Sequence, residues 1–241
     1  MHAGKPAVAA VAALLIVLAV ASAPATGFGG PELQPAGSPR SDGPAAARLR
    51  PYRSEVSKLD GKARKRMTGV SWQKGCPVGL GDLRLVSVSY VDFGKHARQG
   101  KLVIHEDHAK DIARVFERLY EKRFRIRRIE LIDRYRGSDH RSMDADNTSA
   151  FNCRVVAGTD RWSRHAYGTA LDLNPVENPY VTTGGHVSPP AGAAYTDRGD
   201  VRKGMVEDGP VVKSFQKIAG WEWGGEWSGT KDYQHFSSDG R

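Results

Sequence analysis

The sequence predicts an α+β fold, an antiparallel sheet with flanking helices, and three observations carry that class. Residues 83–91 (LRLVSVSYV) alternate apolar and polar side chains, the period of a half-buried strand. Residues 107–122 repeat apolar side chains at three- and four-residue steps, the period of a helix with one buried face. The strands gather early, and helical crossovers are too few for a parallel sheet.

Residues 1–25 pair a positive start at Lys5 with the unbroken apolar run 7–20 and a small-x-small site at Ala23-Pro24-Ala25. That is the pattern of a secretory signal peptide. The run falls short of the roughly 20 apolar residues that span a bilayer comfortably, so no stable membrane insertion is expected. The expected location is secreted, extracellular or associated with the cell wall. Residues 26–52 are rich in Pro, Gly, Ala and Ser without apolar periodicity, and read as a flexible linker. Residues 53–241 are long enough for one domain with a real core.

Within that domain, residues 54–67 read as a short, basic surface helix, and 83–91 and 102–105 as strands. In the helix 107–122, Ala109, Ile112, Ala113, Phe116, Leu119 and Tyr120 form the apolar face, and Glu106 or Asp107 suits its positive N-terminal end. Residues 125–132 (RIRRIELI) read as a third strand, with Ile126, Ile129 and Leu131 inward. Residues 134–160 are polar and turn-rich, a composition that often marks a functional segment. A strand is expected at 169–173, a long loop at 178–204, a helix at 211–218, a Trp-Gly turn region at 220–229 and a closing strand at 233–236.

The net charge is +9, and removing residues 1–25 takes away Lys5 alone to leave +8. Such a charge serves solubility or attraction to polyanions, which for an exported bacterial protein include anionic wall polymers. The basic residues are scattered and no nucleic-acid motif occurs, so nucleic acid is not an expected partner. A monomer is the expected state. Cys76 and Cys153 are the two cysteines, too few for a zinc-thiolate site. In an oxidising compartment such a pair commonly forms a disulfide, here worth about 3–5 kcal/mol; two buried thiols are the alternative.

Chemistry concentrates in two stretches. Residues 163–172 (SRHAYGTALD) carry His165 and Asp172, and residues 232–235 (DYQH) carry Asp232 and His235. Imidazole nitrogen and carboxylate oxygen both suit zinc, which in catalytic sites takes three protein ligands and keeps one position open. On a straight strand a His and an Asp seven apart face opposite ways. They converge only if the chain bends, which Gly168 permits, while the small Ala170 lets an ion sit close. Spacing alone leaves a metal site and a structural polar pair both open. The other histidines, His96, His105, His108, His140 and His186 among them, stand alone in polar settings and read as surface or hydrogen-bonded residues.

The segments SRHAYGTALDLNP and DYQHF resemble the zinc D-Ala-D-Ala carboxypeptidase and dipeptidase family, which includes the L-alanyl-D-glutamate endopeptidases of phage lysins and shares its fold with the Hedgehog signalling domain. The family pattern is Ser-x-His-x6-Asp followed by a distal carboxylate-x-x-His, and Ser163, His165, Asp172, Asp232 and His235 fill it. The preceding FNCR and the following WEWGGEW fit a lysin-like branch, so the likeness covers about 76–236.

The resemblance implies Zn2+ held by His165, Asp172 and His235, with Asp232 as general base. It implies peptidoglycan stem peptides as substrate, with an endopeptidase slightly favoured over a D,D-carboxypeptidase. Arg154 is the candidate to face the developing oxyanion, and Arg136 is its rival. Ser163 matches a serine that contacts substrate or orients the site. Trp223, with Trp221 and Trp227, is either an aromatic wall for the substrate or part of the core. The competing function is a non-catalytic, zinc-stabilised domain that binds the cell wall. A serine hydrolase is disfavoured, since no Gly-x-Ser-x-Gly elbow occurs.

Overall fold

A computed structural model describes residues 49–240. The expected signal peptide and most of the expected linker lie outside these residues.

Chain entry departs from expectation. Residues 54–67 are not one helix but strand β1 (Ser54–Lys58) followed by helix α1 (Gly61–Met67). Two local signals explain the split. Val56 faces Val86 across an antiparallel ladder, so this stretch completes a sheet edge. Asp60 then caps the helix, its Oδ1 accepting the N–H of Ala63 at 2.6 Å.

Strand β2 (Leu83–Val91) pairs along its whole length with β3 (Ala97–His105), which begins five residues earlier than the apolar run LVIH suggests. Register, not hydrophobicity, extends β3: each of residues 98–101 faces a β2 residue across the ladder. The sheet order is β1-β2-β3. Helix α2 (Glu106–Glu121) starts where β3 ends and lays its apolar face on this sheet. Val86, Val88, Leu102 and Ile104 meet Ile112, Phe116 and Leu119 there, all nearly or fully buried. Glu106 and Asp107 occupy the first turn, as the helix dipole favours.

The expected third strand at 125–132 does not form. The segment makes only isolated bridges, Val91 to Arg125 and Ile129 to Thr148. Its buried residues are Ile126, Ile129 and Ile132, three apart rather than two, so the chain rolls along the sheet edge instead of pleating. Leu131 is only partly buried. The polar stretch that follows holds a 3-10 turn (Ile132–Tyr135) and helix α3 (Asp139–Asp144).

The second half of the domain uses very short strands. Strand β4 (Ala170–Asp172) lies beside β9 (His235–Ser237), which also pairs with β7 (Glu222–Trp223). A third small sheet joins β5 (Tyr180–Val181), β6 (Val187–Ser188) and β8 (Lys231–Asp232). Every strand pair in these three sheets is antiparallel. The long loop 178–204 therefore contains a hairpin, and it also holds a 3-10 helix, Pro190–Tyr195. The closing strand is displaced too: Tyr233 and Gln234 form a turn between β8 and β9. Helix α4 (Pro210–Ser214) continues into a π-helical turn, Phe215–Ala219. Phe215, Trp221 and Phe236 bring this half into the main core, with Phe215 and Phe236 stacked at 3.9 Å between ring centres. The mixture of helices and small antiparallel sheets is α+β. Among the described residues no helix is long and apolar enough to cross a membrane.

Candidate metal centre

His165 sits on a single 3-10 turn, Arg164–Tyr167. Ser163 opens that turn by accepting the His165 N–H on its Oγ at 3.3 Å. Gly168 closes it in the left-handed region at φ +71°. A Cβ at Gly168 would lie 2.8 Å from the backbone nitrogen of His105, so glycine is required both by conformation and by space. This is the bend that the His-x6-Asp spacing demands. Beyond it, β4 runs straight to Asp172.

Asp172 is gripped from both sides. Its backbone exchanges two hydrogen bonds with Ser149, and across β9 it faces His235 directly. The second imidazole is thus positioned by strand register. The three side chains converge: Asp172 Oδ1 lies 3.0 Å from His235 Nδ1, and Oδ2 lies 3.2 Å from His165 Nε2. The two ring nitrogens are 3.3 Å apart. All three residues are buried.

These separations suit a small tetrahedral ion. Ligand atoms about 2.0–2.1 Å from a tetrahedral centre stand about 3.3 Å from one another, and two imidazoles with a carboxylate form a familiar zinc donor set. The ring of His165 is oriented for this. Its Nδ1 lies 2.6 Å from the carbonyl oxygen of Ala150, so the proton resides there and the Nε2 lone pair faces the cluster. The group is one that could hold a metal ion. Burial works to raise the Asp172 carboxyl, but the charge and hydrogen bonds of His165 and His235 outweigh it and hold the group below the ordinary carboxylate range.

The cluster lies in a cleft of about 970 Å³, large enough for several peptide residues. Asp232, Arg154 and Ser163 border it, as the sequence suggests. Asp232 Oδ1 is buried and has no hydrogen-bond partner among the described residues. Burial pushes its carboxyl up to about 7; His235 pulls it down, Asp172 pushes it up, and His165 and Arg154 pull it down. A buried, partnerless carboxylate oxygen beside a prospective ion is suited to receiving a proton.

Cys76 and Cys153 form the expected disulfide, with Cα atoms 5.9 Å apart. The Cys153 N–H also donates to the carbonyl of Ser71, so the backbone preceding Arg154 is fixed from two directions.

Two expected substrate contacts lie elsewhere. Arg136 is exposed at the end of the 3-10 turn Ile132–Tyr135, in the left-handed conformation, and does not border the cleft. Trp223 is buried: its indole N–H donates to the Tyr233 carbonyl at 2.8 Å and its ring lies over Phe236. Trp221 is buried as well. Trp227 is the member of this trio that borders the cleft, its ring 5.8 Å from that of His235.

Sequence reasoning missed several cleft residues. His140 and His186, which the sequence presents as isolated surface histidines, are exposed but border the cleft, and so do Trp162, Tyr180 and Asp139. No spacing marks them. Asp139 and His140 arrive on helix α3, His186 on the β5–β6 turn, Tyr180 on β5 and Trp162 at an isolated bridge, so their convergence depends on the whole fold.

Comparisons with curated proteins and with solved structures found no match. Residues 157–238, which carry both imidazoles and both carboxylates of the site, match the model of a family described as D-alanyl-D-alanine carboxypeptidase. The match spans about a third of the chain and supports, for this segment, the resemblance read from the motifs.

Proposed function

We propose that the chain is a secreted zinc peptidase that hydrolyses peptide bonds of peptidoglycan stem peptides, with endopeptidase action favoured over removal of a terminal D-Ala. One observation carries this reading: the three ligand groups, drawn from separate elements, lie within 4.8 Å of one another at a cleft that also holds a buried carboxylate and an arginine.

His165, Asp172 and His235 would hold the ion. When bound, zinc acidifies a water and polarises the scissile carbonyl. The chain's own groups do the rest. Asp232 takes the proton from the attacking water and returns it to the leaving amine. Arg154 donates N–H groups to the carbonyl oxygen as negative charge builds there. The Ala150 carbonyl keeps His165 in one tautomer. Ser163 holds the turn that presents His165 and borders the cleft.

The test combines metal content of the pure protein, activity before and after chelation, and mass spectrometry of digested wall peptides. Stoichiometric zinc, loss of activity on chelation with recovery on adding zinc, and cuts inside the stem peptide are expected. Zinc with no cleavage of any wall peptide would instead favour a zinc-stabilised wall-binding domain. Release of terminal D-Ala alone would refute the endopeptidase preference.

A further inference from the structure

Arg154 is already engaged. Its Nη2 lies 2.5 Å from Oδ2 of Asp139, and both residues border the cleft. Asp139 is the first residue of α3, behind the capping Ser138, on an element separate from every ligand strand. Arg154 reaches it from the segment pinned by the Cys76–Cys153 disulfide. Neither side chain is sealed away: 25% of Asp139 and 30% of Arg154 remain accessible, so a group that approaches one meets the other.

The pairing sets what Arg154 can recognise. A guanidinium carries five N–H donors, so those not spent on Asp139 can still serve a neutral carbonyl. A second carboxylate is a different matter. It would gain from Arg154 but face the charge of Asp139 a few ångströms away, and like-charge juxtaposition of this kind costs several kcal/mol. Arg164, a second arginine at the cleft, is paired with Asp239, and the exposed Arg161 stands next to Asp160 on the same wall, so Asp139 is the carboxylate that directly meets a group placed on Arg154.

From this geometry we infer that Asp139 determines specificity. Beside the scissile carbonyl that Arg154 would hold, it makes the site accept a following residue whose own carbonyl continues into the chain and turn away one that ends in a free carboxylate. This rests on the peptidase reading above and deepens it by naming the substrate class: interior peptide bonds.

The experiment uses one wall peptide that the zinc-loaded protein cuts, prepared with the residue after the scissile bond as the free acid or as the amide. Wild type should favour the amide by about tenfold or more in kcat/KM. Asp139→Asn should bring the ratio close to one, and Asp139→Glu, which keeps the charge, should restore the preference. Equilibrium binding of both peptides to the Asp232→Asn protein should follow the same order without turnover. Wild type that prefers the free acid overturns the inference, and so does an Asp139→Asn protein that slows both peptides equally. If Asp139→Asn does not fold, the wild-type ratio and the binding order decide alone. Cleavage of neither form, nor of any wall peptide, would instead fail the peptidase reading itself.

Discussion

The sheet β1-β2-β3 with its helix α2 and the region that carries the candidate metal ligands solve different problems with different means. The first pairs two nine-residue strands and lays a sixteen-residue helix over them. Its interior is apolar: Val86, Val88, Ile104, Ile112 and Phe116 are fully buried. The second has strands of two or three residues, too short to hold themselves together. It relies on buried polar side chains that bind backbone. Asn174 accepts from the Arg127 N–H and donates to the carbonyls of Arg125 and Gly204, and Asn178 donates to those of Leu173 and Gly204. Apolar packing tolerates exchange among similar side chains, whereas directed hydrogen bonds fix backbone to within tenths of an ångström. A site that must bring three donors to about 3 Å separations uses the second means.

The largest expected effect comes from the chemistry. Asp232→Asn should lower kcat by about 10²–10⁴ while leaving zinc content and thermal unfolding near wild type. Measured together by steady-state kinetics and metal analysis, the two results separate a base from a ligand. Next in size is a cavity in the scaffold. Phe116 is completely buried, so Phe116→Ala should cost about 3–5 kcal/mol in denaturant unfolding. If the two regions are as distinct as their construction suggests, zinc affinity of the folded variant stays unchanged; a parallel loss of zinc would break the comparison.

How much of each region the sequence discloses follows from the same difference. Helix α2 is legible because burial imposes a period between three and four on 107–122, and β2 because its run is rich in valine and other apolar residues, though its end, 88–91, is buried on both faces. Beside them, 125–132 misleads: RIRRIELI has the composition of a strand, yet Ile126, Ile129 and Ile132 go inward at three-residue steps. The candidate metal ligands are legible through the motif resemblance and through Gly168, where chemistry fixes identity at a few positions. Arg136 does not border the cleft and Trp223 takes the core alternative, because adjacency in a motif does not say which way a side chain points. Asp139 was invisible for a related reason, since its partner Arg154 is fifteen positions away on another element.

A smaller effect probes the polar scaffolding. Asn174→Ala removes three hydrogen bonds to backbone and strands their partners, at about 1–3 kcal/mol for each group left unsatisfied and buried. Because Asn174 stands two residues past Asp172, this variant should lose zinc affinity as well as stability, which Phe116→Ala should not. Competition with a chelator of known affinity reads the first, and denaturant unfolding the second.

The smallest effect is a pH dependence. Glu177 is fully buried in the segment that leaves Asp172, with Oε1 3.0 Å from Arg127 Nη2, and Arg127 also reaches Asp146 at 3.1 Å. One guanidinium cannot neutralise two carboxylates. Burial first, and then Asp146, push the Glu177 carboxyl up to about 8, against the pull of Arg127. Arg198 faces the same residue, but through its backbone carbonyl. A raised folded-state value means that the native protein holds a proton which the unfolded chain gives up near pH 4.5. The stabilisation is therefore complete below that pH and is lost as pH rises through about 8. Glu177→Gln keeps the shape without the proton, so its unfolding free energy should vary less between pH 5 and 8 than that of wild type. Equal slopes for the two proteins would show that Arg127 wins after all and that Glu177 stays ionised. The polar region would then be held by a charge pair where the geometry favours a shared proton.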